Sequence, residues 1–544
     1  MLDNQGFTAL GYADDIVLIT KGKYEDTMCD IIHNGLKTIN KWCEQVGLRI
    51  NPSKTTLIPF TNKRKLPLLK EMAFNGHNLN WSRETKYLGL TLDQKLLWNK
   101  HIEIQTNKAT KAFMICRRLA GKRWGTSPLI LHWMYTAMIR PMITYGALMW
   151  EHRTGTKKNQ QLLGKVQKLA GTCITGSLRT CPAAAVDKIL GIAPISIVVW
   201  QLAQESRLRM ALKDQEKGNK ILQVDIDKLT KYIPLSAAPN DYLSKQTKFT
   251  KNFTISLEPP KDKTNNANTW YTDGSKTETG TGIGIAGPQT RISEQLGKYP
   301  SIFQAEILAI ERCARTITNN NSRNKNITIL TDSQAALKAL KGYTVNHKCV
   351  LSCIETLNTL GLEKRITIGW IPGHTGVQGN EIADKLAKQG AATPFEGPEP
   401  GMGITHSFLK RHLKNIVIEE TNKHWINLPK LRQSKLLLRM QDKDRQAFCR
   451  KLSKQNLHLI TRLLTGHNTL NGHLHKLGLH PDGLCRFCNL EMETSEHILM
   501  DCIALAPKRY SYLGKPSFNQ EQLATIELTC LLRFLKATGL EDSV

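Results

Sequence analysis

Four acidic residues stand where an α/β fold gathers side chains. Asp273 ends the strand-like run 269–272 and is followed by Gly274 and Ser275. Glu306 falls in a helical period with Ala305, Leu308 and Ala309, and Asp332 closes the β-branched run 327–331. Asp384 lies one turn into a helix expected after Gly379 and Asn380. Strand ends and first helical turns converge at one edge of such a sheet. Four carboxylates meeting there repel one another unless cations neutralise them, and hard oxygen donors favour Mg²⁺ or Mn²⁺ over Zn²⁺. Two such ions about 4 Å apart clamp the attacking water and the leaving oxygen of an in-line displacement at phosphorus. The chemistry expected is phosphodiester hydrolysis. Any one of these acids taken alone is an ordinary surface residue, and Asp332 beside Ser333 could be only a helix cap.

Two further sets could do chemistry. Cys485 and Cys488 form a C-x-x-C, followed by His497 and Cys502, with two, eight and four residues between successive positions. Thiolates and an imidazole at short spacing suit tetrahedral Zn²⁺ with no open position, which is a structural site. Near the N-terminus, Gly11-Tyr12-Ala13-Asp14-Asp15 joins the apolar runs 7–10 and 16–19. That pattern predicts a β-hairpin with carboxylates at its tip, although an Asp pair can also serve only the turn.

The elements that must position these residues follow from periodicity. Residues 281–285 alternate with Gly, 327–330 and 366–370 are short β-branched runs, and helical periods cover 305–309 and 335–340. Pro-containing stretches at 257–269 and 393–403 bracket them, which predicts one α/β domain over 265–395. The flanks read mainly helical, with amphipathic stretches at 24–45, 131–150, 159–169 and 436–464. At 544 residues the chain is too long for one core and predicts three or four domains.

Lys and Arg number 75 against 46 Asp and Glu, a net charge of +29. Of this excess, +19 lies in residues 1–264, +4 in 265–395 and +6 in 396–544. Solubility does not need so large an excess, and the commonest partner for it is nucleic acid held through phosphates. Thirteen Cys scattered through the chain argue against a disulfide framework and for a reducing, intracellular compartment. No apolar run approaches the roughly 18 to 20 residues of a membrane span, and no signal peptide is expected before Asp14 and Asp15.

The runs WYTDGSK (270–276), QAEILAI (304–310), ILTDSQAALKAL (329–340) and WIPGHTGVQGNEIADKLAK (370–388) resemble type 1 ribonuclease H. The resemblance spans 265–395 and implies hydrolysis of the RNA strand of an RNA–DNA hybrid. It makes Asp273, Glu306, Asp332 and Asp384 ligands of two Mg²⁺ or Mn²⁺ ions, and has His374 assist proton transfer or product release. The YADD run (12–15), GLRINPSKT (47–55), YLGLTLD (87–93), WNKHI (98–102) and IRPMITYGALMW (139–150) resemble the palm end and thumb of non-LTR retrotransposon reverse transcriptases. By that resemblance Asp14 and Asp15 belong to a polymerase metal site, Lys54 lies near the incoming nucleotide, and the turn 87–89 supports the primer. TGH (465–467), CRFC, ETSEH and Cys502 resemble the C-terminal region of jockey-, I- and R-type arthropod elements, implying a zinc knuckle that grips RNA.

The expected fold is multidomain α+β and α/β. It comprises a truncated polymerase palm end (1–60), a helical thumb (61–150), a helical connection (151–256), a ribonuclease H-like domain with a mixed sheet and flanking helices (265–395), and a mainly helical C-terminal region (404–544) with the zinc site at 485–502. The expected partners are RNA–DNA hybrid and element RNA and DNA, with no membrane, and the expected place of action is the nucleus. Polymerisation needs a third carboxylate on a preceding strand. Only thirteen residues precede Asp14, so neither polymerase activity nor an N-terminal endonuclease is expected. The alternative function is a non-catalytic nucleic-acid-binding remnant.

Overall fold

The computed structural model describes residues 6–64, 69–217, 230–231, 238–259, 268–320, 324–438, 442–523 and 525–540. Most of the expected 257–269 linker lies outside them. The chain forms two compact units, residues 1–199 with 427–544, and residues 200–426.

The first unit opens with strands β1 (Phe7–Tyr12) and β2 (Asp15–Thr20), paired antiparallel with Tyr12 opposite Asp15. Helix Glu25–Gln45 then buries Cys29 and Leu36 against Met72 and Phe74 of β3 (Met72–Phe74) and Leu79 of β4 (His77–Leu79). A third hairpin, β5 (Glu84–Tyr87) and β6 (Leu90–Asp93), ends on Asp93. The Asp93 carboxylate accepts the N–H groups of Leu97 at 2.9 Å and Trp98 at 2.7 Å, which sets the entry to helix Asn99–Arg117.

The amphipathic stretch expected over 131–150 is helical, in several pieces. Pro128–Met134 runs into a π-helical stretch, Tyr135–Ile139, then Arg140–Thr144; Ala147–Trp150 starts afresh after Gly146 at φ 65°. Pro141 can neither donate to the helical ladder nor sit close to the preceding turn, and a wider turn ahead of it relieves the clash. The stretch expected over 436–464 divides too, with residues 439–441 outside the described set. Helices Lys443–Lys451 and Lys454–Thr465 are separated at Ser453, whose hydroxyl caps the second by accepting Asn456 N–H at 3.2 Å. These C-terminal helices pack on helices Lys157–Thr175 and Ala183–Leu190. Gln446 donates to the Lys188 carbonyl at 3.0 Å, Arg450 to that of Leu190 at 2.7 Å, and Lys454 to that of Cys173. The C-terminal region and the first part of the expected connection therefore share one core.

The second unit contains β7 (Tyr242–Thr247), β8 (Phe253–Ser256), β9 (Thr269–Lys276), β10 (Thr281–Ala286), β11 (Arg291–Gly297), β12 (Asn326–Thr331), β13 (Thr344–His347) and β14 (Arg365–Trp370). Six of them form one mixed sheet in the order β11-β10-β9-β12-β14-β8. β9, β10 and β11 pair antiparallel, while β9–β12, β12–β14 and β14–β8 are parallel. β8 comes from before residue 265, so the sheet reaches past the expected domain boundary. Ile307, Ile310, Ile329, Leu337, Ile354 and Ile368 are fully buried in its core. Helix Gln378–Ala392 lies almost in contact with the β10 backbone. A Cβ on Gly282 would stand 2.2 Å from Ala391 N, and one on Gly284 2.0 Å from Ala383 O, which is the physical reason for the alternating glycines. Among the described residues no single helix is long and apolar enough to cross a membrane.

Candidate active site and metal centres

Asp273 is the fifth residue of β9, which continues to Lys276 rather than stopping before the acid; Asp273 pairs with Gly284 of β10. β12 ends at Thr331, so Asp332 stands just past it. Glu306 belongs to helix Ile302–Asn319, whose start is set by a capping box between Ser301 and Gln304. The three elements bring Asp273, Glu306 and Asp332 together, with one carboxylate oxygen of each within 4.8 Å of the others. Asp273 is 6% exposed and Glu306 5%. Thr331 Oγ1 donates to Glu306 Oε2 at 3.4 Å, and Trp370 Nε1 donates to the Asp332 carbonyl at 3.1 Å. No Lys or Arg forms an ion pair with any of the three among the described residues. Burial, with Asp332 and Asp384 nearby, lifts Asp273 to about 6. Burial and then Asp273 hold Glu306 well above the usual carboxylate range. A dry set of oxygen donors kept short of charge is what a hard divalent cation fits.

The fourth predicted acid is placed differently. Asp384 is the seventh residue of helix Gln378–Ala392, nearly two turns in, because the helix starts before Gly379. It stands outside the three-acid cluster, and its Oδ2 accepts from Lys388 Nζ at 2.7 Å, one turn on. Its charge still reaches Asp273. His374 is exposed, at φ 57°, on the loop after β14. That loop passes the cluster, since a Cβ on Gly373 would lie 2.8 Å from Asp332 Oδ2. Thr331, Trp370 and Lys388 are site residues that spacing did not single out. All three lie inside the recognised runs, but their hydrogen bonds depend on the fold.

Cys485, Cys488, His497 and Cys502 also converge, their ligand atoms all within 4.8 Å of one another. Cys485 Sγ and Cys502 Sγ are 3.8 Å apart, and Cys488 Sγ is 3.3 Å from His497 Nε2. Two thiolates about 2.3 Å from a tetrahedral ion would stand about 3.8 Å apart. His497 Nδ1 lies 3.1 Å from Glu491 Oε2, the carboxylate–imidazole pairing that orients a metal-bound His. Backbone N–H groups, that of Leu490 first, pull the Cys488 thiol down to about 6 and favour the thiolate. Arg509, 1% exposed, fixes the motif by donating to the carbonyls of Cys502 at 2.6 Å and Ile498 at 3.2 Å. Thr465 and Gly466 end a helix, and His467 is not among the converging ligands.

The family model for RNase H matches residues 265–392, and that for reverse transcriptase (RNA-dependent DNA polymerase) matches residues 1–92. The chain carries a ribonuclease H domain and a reverse transcriptase segment. Both kinds of domain have nucleic-acid substrates. A 115 kDa protein of the type-1 retrotransposable element R1DM of Drosophila melanogaster is 24% identical over 38% of this chain and 20% of its own length. The RNA-directed DNA polymerase of the mobile element jockey from the same species is 27% identical over 27% and 16%. The chain thus spans about a fifth or less of these relatives, which are pol-type proteins of arthropod non-LTR retrotransposons. Among solved structures, RNase H1 of Halobacterium salinarum NRC-1 aligns at 20% identity and a TM-score of 0.19, over 22% of this chain and 95% of that one.

In the reverse transcriptase segment the hairpin is as expected, with Asp14 and Asp15 exposed at its tip and Ala13 in the turn at φ 51°. No third Asp, Glu, His or Cys joins them in a cluster among the described residues. Lys54 ends the short turn Pro52–Lys54, exposed. The 87–89 turn is held by Tyr145, whose hydroxyl donates to the Leu88 carbonyl at 2.8 Å. His101 of the WNKHI run is fully buried, and its Nδ1 accepts Thr91 N–H at 3.2 Å, so it serves the core.

Proposed function

We propose that the ribonuclease H domain hydrolyses the RNA strand of RNA–DNA hybrids with Mg²⁺ or Mn²⁺ held by Asp273, Glu306 and Asp332. The observation that carries this reading is the convergence of three acids, two of them almost fully buried, with no ion pair to Lys or Arg among the described residues. Bound divalent ions would supply an activated water and charge neutralisation at phosphorus. Asp273 and Glu306, kept dry and fixed by β9 and its neighbouring helix, hold the cation ligands in place before substrate arrives. Asp384, now paired with Lys388 at 2.7 Å, would join the set as a fourth oxygen donor once a cation is bound. His374, on the loop that touches Asp332, gives or takes a proton as product leaves. The test is cleavage of an end-labelled hybrid by the purified chain in Mg²⁺. Wild type should cut the RNA strand, and Asp273→Asn should bind the hybrid but not cut it.

A second reading, a nucleic-acid binder without catalysis, is favoured by the charge of the first unit. Residues 1–199 with 427–544 carry 45 Lys and Arg against 24 Asp and Glu. Hybrid binding by the wild type with no cleavage in either metal would select it. For the reverse transcriptase segment we infer no synthesis by this chain alone, because among the described residues no third acid clusters with Asp14 and Asp15; template-directed primer extension would refute that. Zn²⁺ is the assignment for the Cys485, Cys488, His497 and Cys502 set, from its donors and closed geometry. Its role is structural, in a knuckle that grips element RNA.

A further inference from the structure

Helices Asn99–Arg117 and Lys157–Thr175, with the turns that follow them, enclose a groove of about 800 Å³ in the first unit. Arg117, Lys122, Lys165, Lys168 and Arg179 line it, and among the described residues no acidic one does. Ser177 belongs to the same lining and is 3% exposed, with its hydroxyl directed at the Cys181 thiol. At the rim the chain after the first helix doubles back. Ala120 bridges Gly125, and Gly121 N–H donates to the Trp124 carbonyl at 3.0 Å. The Trp124 indole packs over Gly121, where a Cβ would meet its Nε1 at 2.2 Å. Gly121 lines the groove, yet the indole is 68% exposed.

These observations have one ligand chemistry in common. Five cations around one groove repel each other and are offset by nothing in its lining, so a chain of phosphates gains there from every contact. An exposed indole beside a cationic track is a platform on which an unpaired base stacks. A duplex keeps its bases stacked inside and offers Trp124 nothing. We propose that this groove binds single-stranded nucleic acid, with phosphates on the five cations and an unpaired base on Trp124. The site consists wholly of first-unit residues and does not rest on the hydrolytic reading above.

Fluorescence anisotropy of the full chain with labelled oligo(U), oligo(dT) and a duplex, over a salt series, tests it. For single strands each lost phosphate contact flattens the log–log salt slope by about 0.7, so Lys165→Gln with Lys168→Gln should flatten it by about 1.4. Trp124→Ala should weaken single-strand binding roughly tenfold, and Trp124→Tyr should restore most of it. Equal losses with oligo(U) and oligo(dT) assign the shared phosphodiester backbone; loss with oligo(U) alone assigns RNA; both support the groove. The control removes two exposed lysines of the first unit elsewhere, Lys37→Gln with Lys41→Gln. A control that flattens the slope as much as the groove pair overturns the proposal, because binding is then diffuse. So does a Trp124→Ala variant that weakens duplex as much as single strand. Should Trp124→Ala melt early, the lysine pair against its control decides alone.

Discussion

Asp273 sits between two demands. Its neighbours and its burial favour the neutral form, whereas a cation requires the charged one. Its folded pKa, about 6, lies above the unfolded value of about 3.9. The stability this group contributes is therefore complete below about pH 3.9 and is lost as pH rises through about 6. Without divalent cation, the second unit should melt at a higher temperature near pH 5 than near pH 7.5, and Mg²⁺ should raise the melting temperature mainly at the higher pH. Calorimetry with and without Mg²⁺ checks both; a transition at about pH 7.5 indifferent to Mg²⁺ would remove Asp273 from the ligand set. The acids themselves were legible in the sequence, because each is embedded in a run that admits few alternatives. Lys388 and Trp370 were not, since what they do is fixed by which oxygen they reach, at 2.7 Å and 3.1 Å. The ion pair that holds Asp384 apart was invisible for the same reason.

At the scale of elements, the closest fit in the ribonuclease H domain is helix Gln378–Ala392 on β10. Gly284→Val has no room at Ala383 O and should cost about 1–3 kcal/mol, read in denaturant unfolding. It should also lower hybrid cleavage, since the same helix carries Asp384. The Cys-rich element answers to a different test. Cys488→Ser or a strong chelator should release the metal and open the region around 485–502 to protease, leaving hybrid cleavage unchanged in re-added Mg²⁺. Protection that survived both treatments would show that Arg509 and the surrounding packing hold the fold without a metal. Strands with β-branched or Gly-alternating runs were readable in advance. The four-residue β8 was not, because a strand so short leaves no periodicity to count. Nor was the π-helical break before Pro141, since hydrophobic spacing continues through it.

For the molecule as a whole, sequence order misled about what packs with what. Segments read as separate domains, 151–256 and 404–544, each divide between the two units. Contacts such as Gln446 to Lys188 span more than two hundred residues of chain, and no local pattern reports them. Removing 427–544 should expose Ile189 and Leu190, which are at most 2% exposed, and make residues 157–199 protease-sensitive while 268–392 stays resistant. Limited proteolysis with mass mapping would show it, and equal resistance of both segments would refute the shared core. The strand β8 has a consequence of another kind. It covers one side of β14, from Ile366 opposite Phe253 to Gly369 opposite Ser256. A ribonuclease H fragment cut to begin at residue 265, where the family match begins, would leave that strand's N–H and carbonyl groups bare along an apolar rim. An uncovered edge of this kind recruits strands from other molecules. Such a fragment would be prone to self-association before it could be assayed, and the twelve residues 253–264 added at its start would decide whether it behaves as an enzyme or as an aggregate.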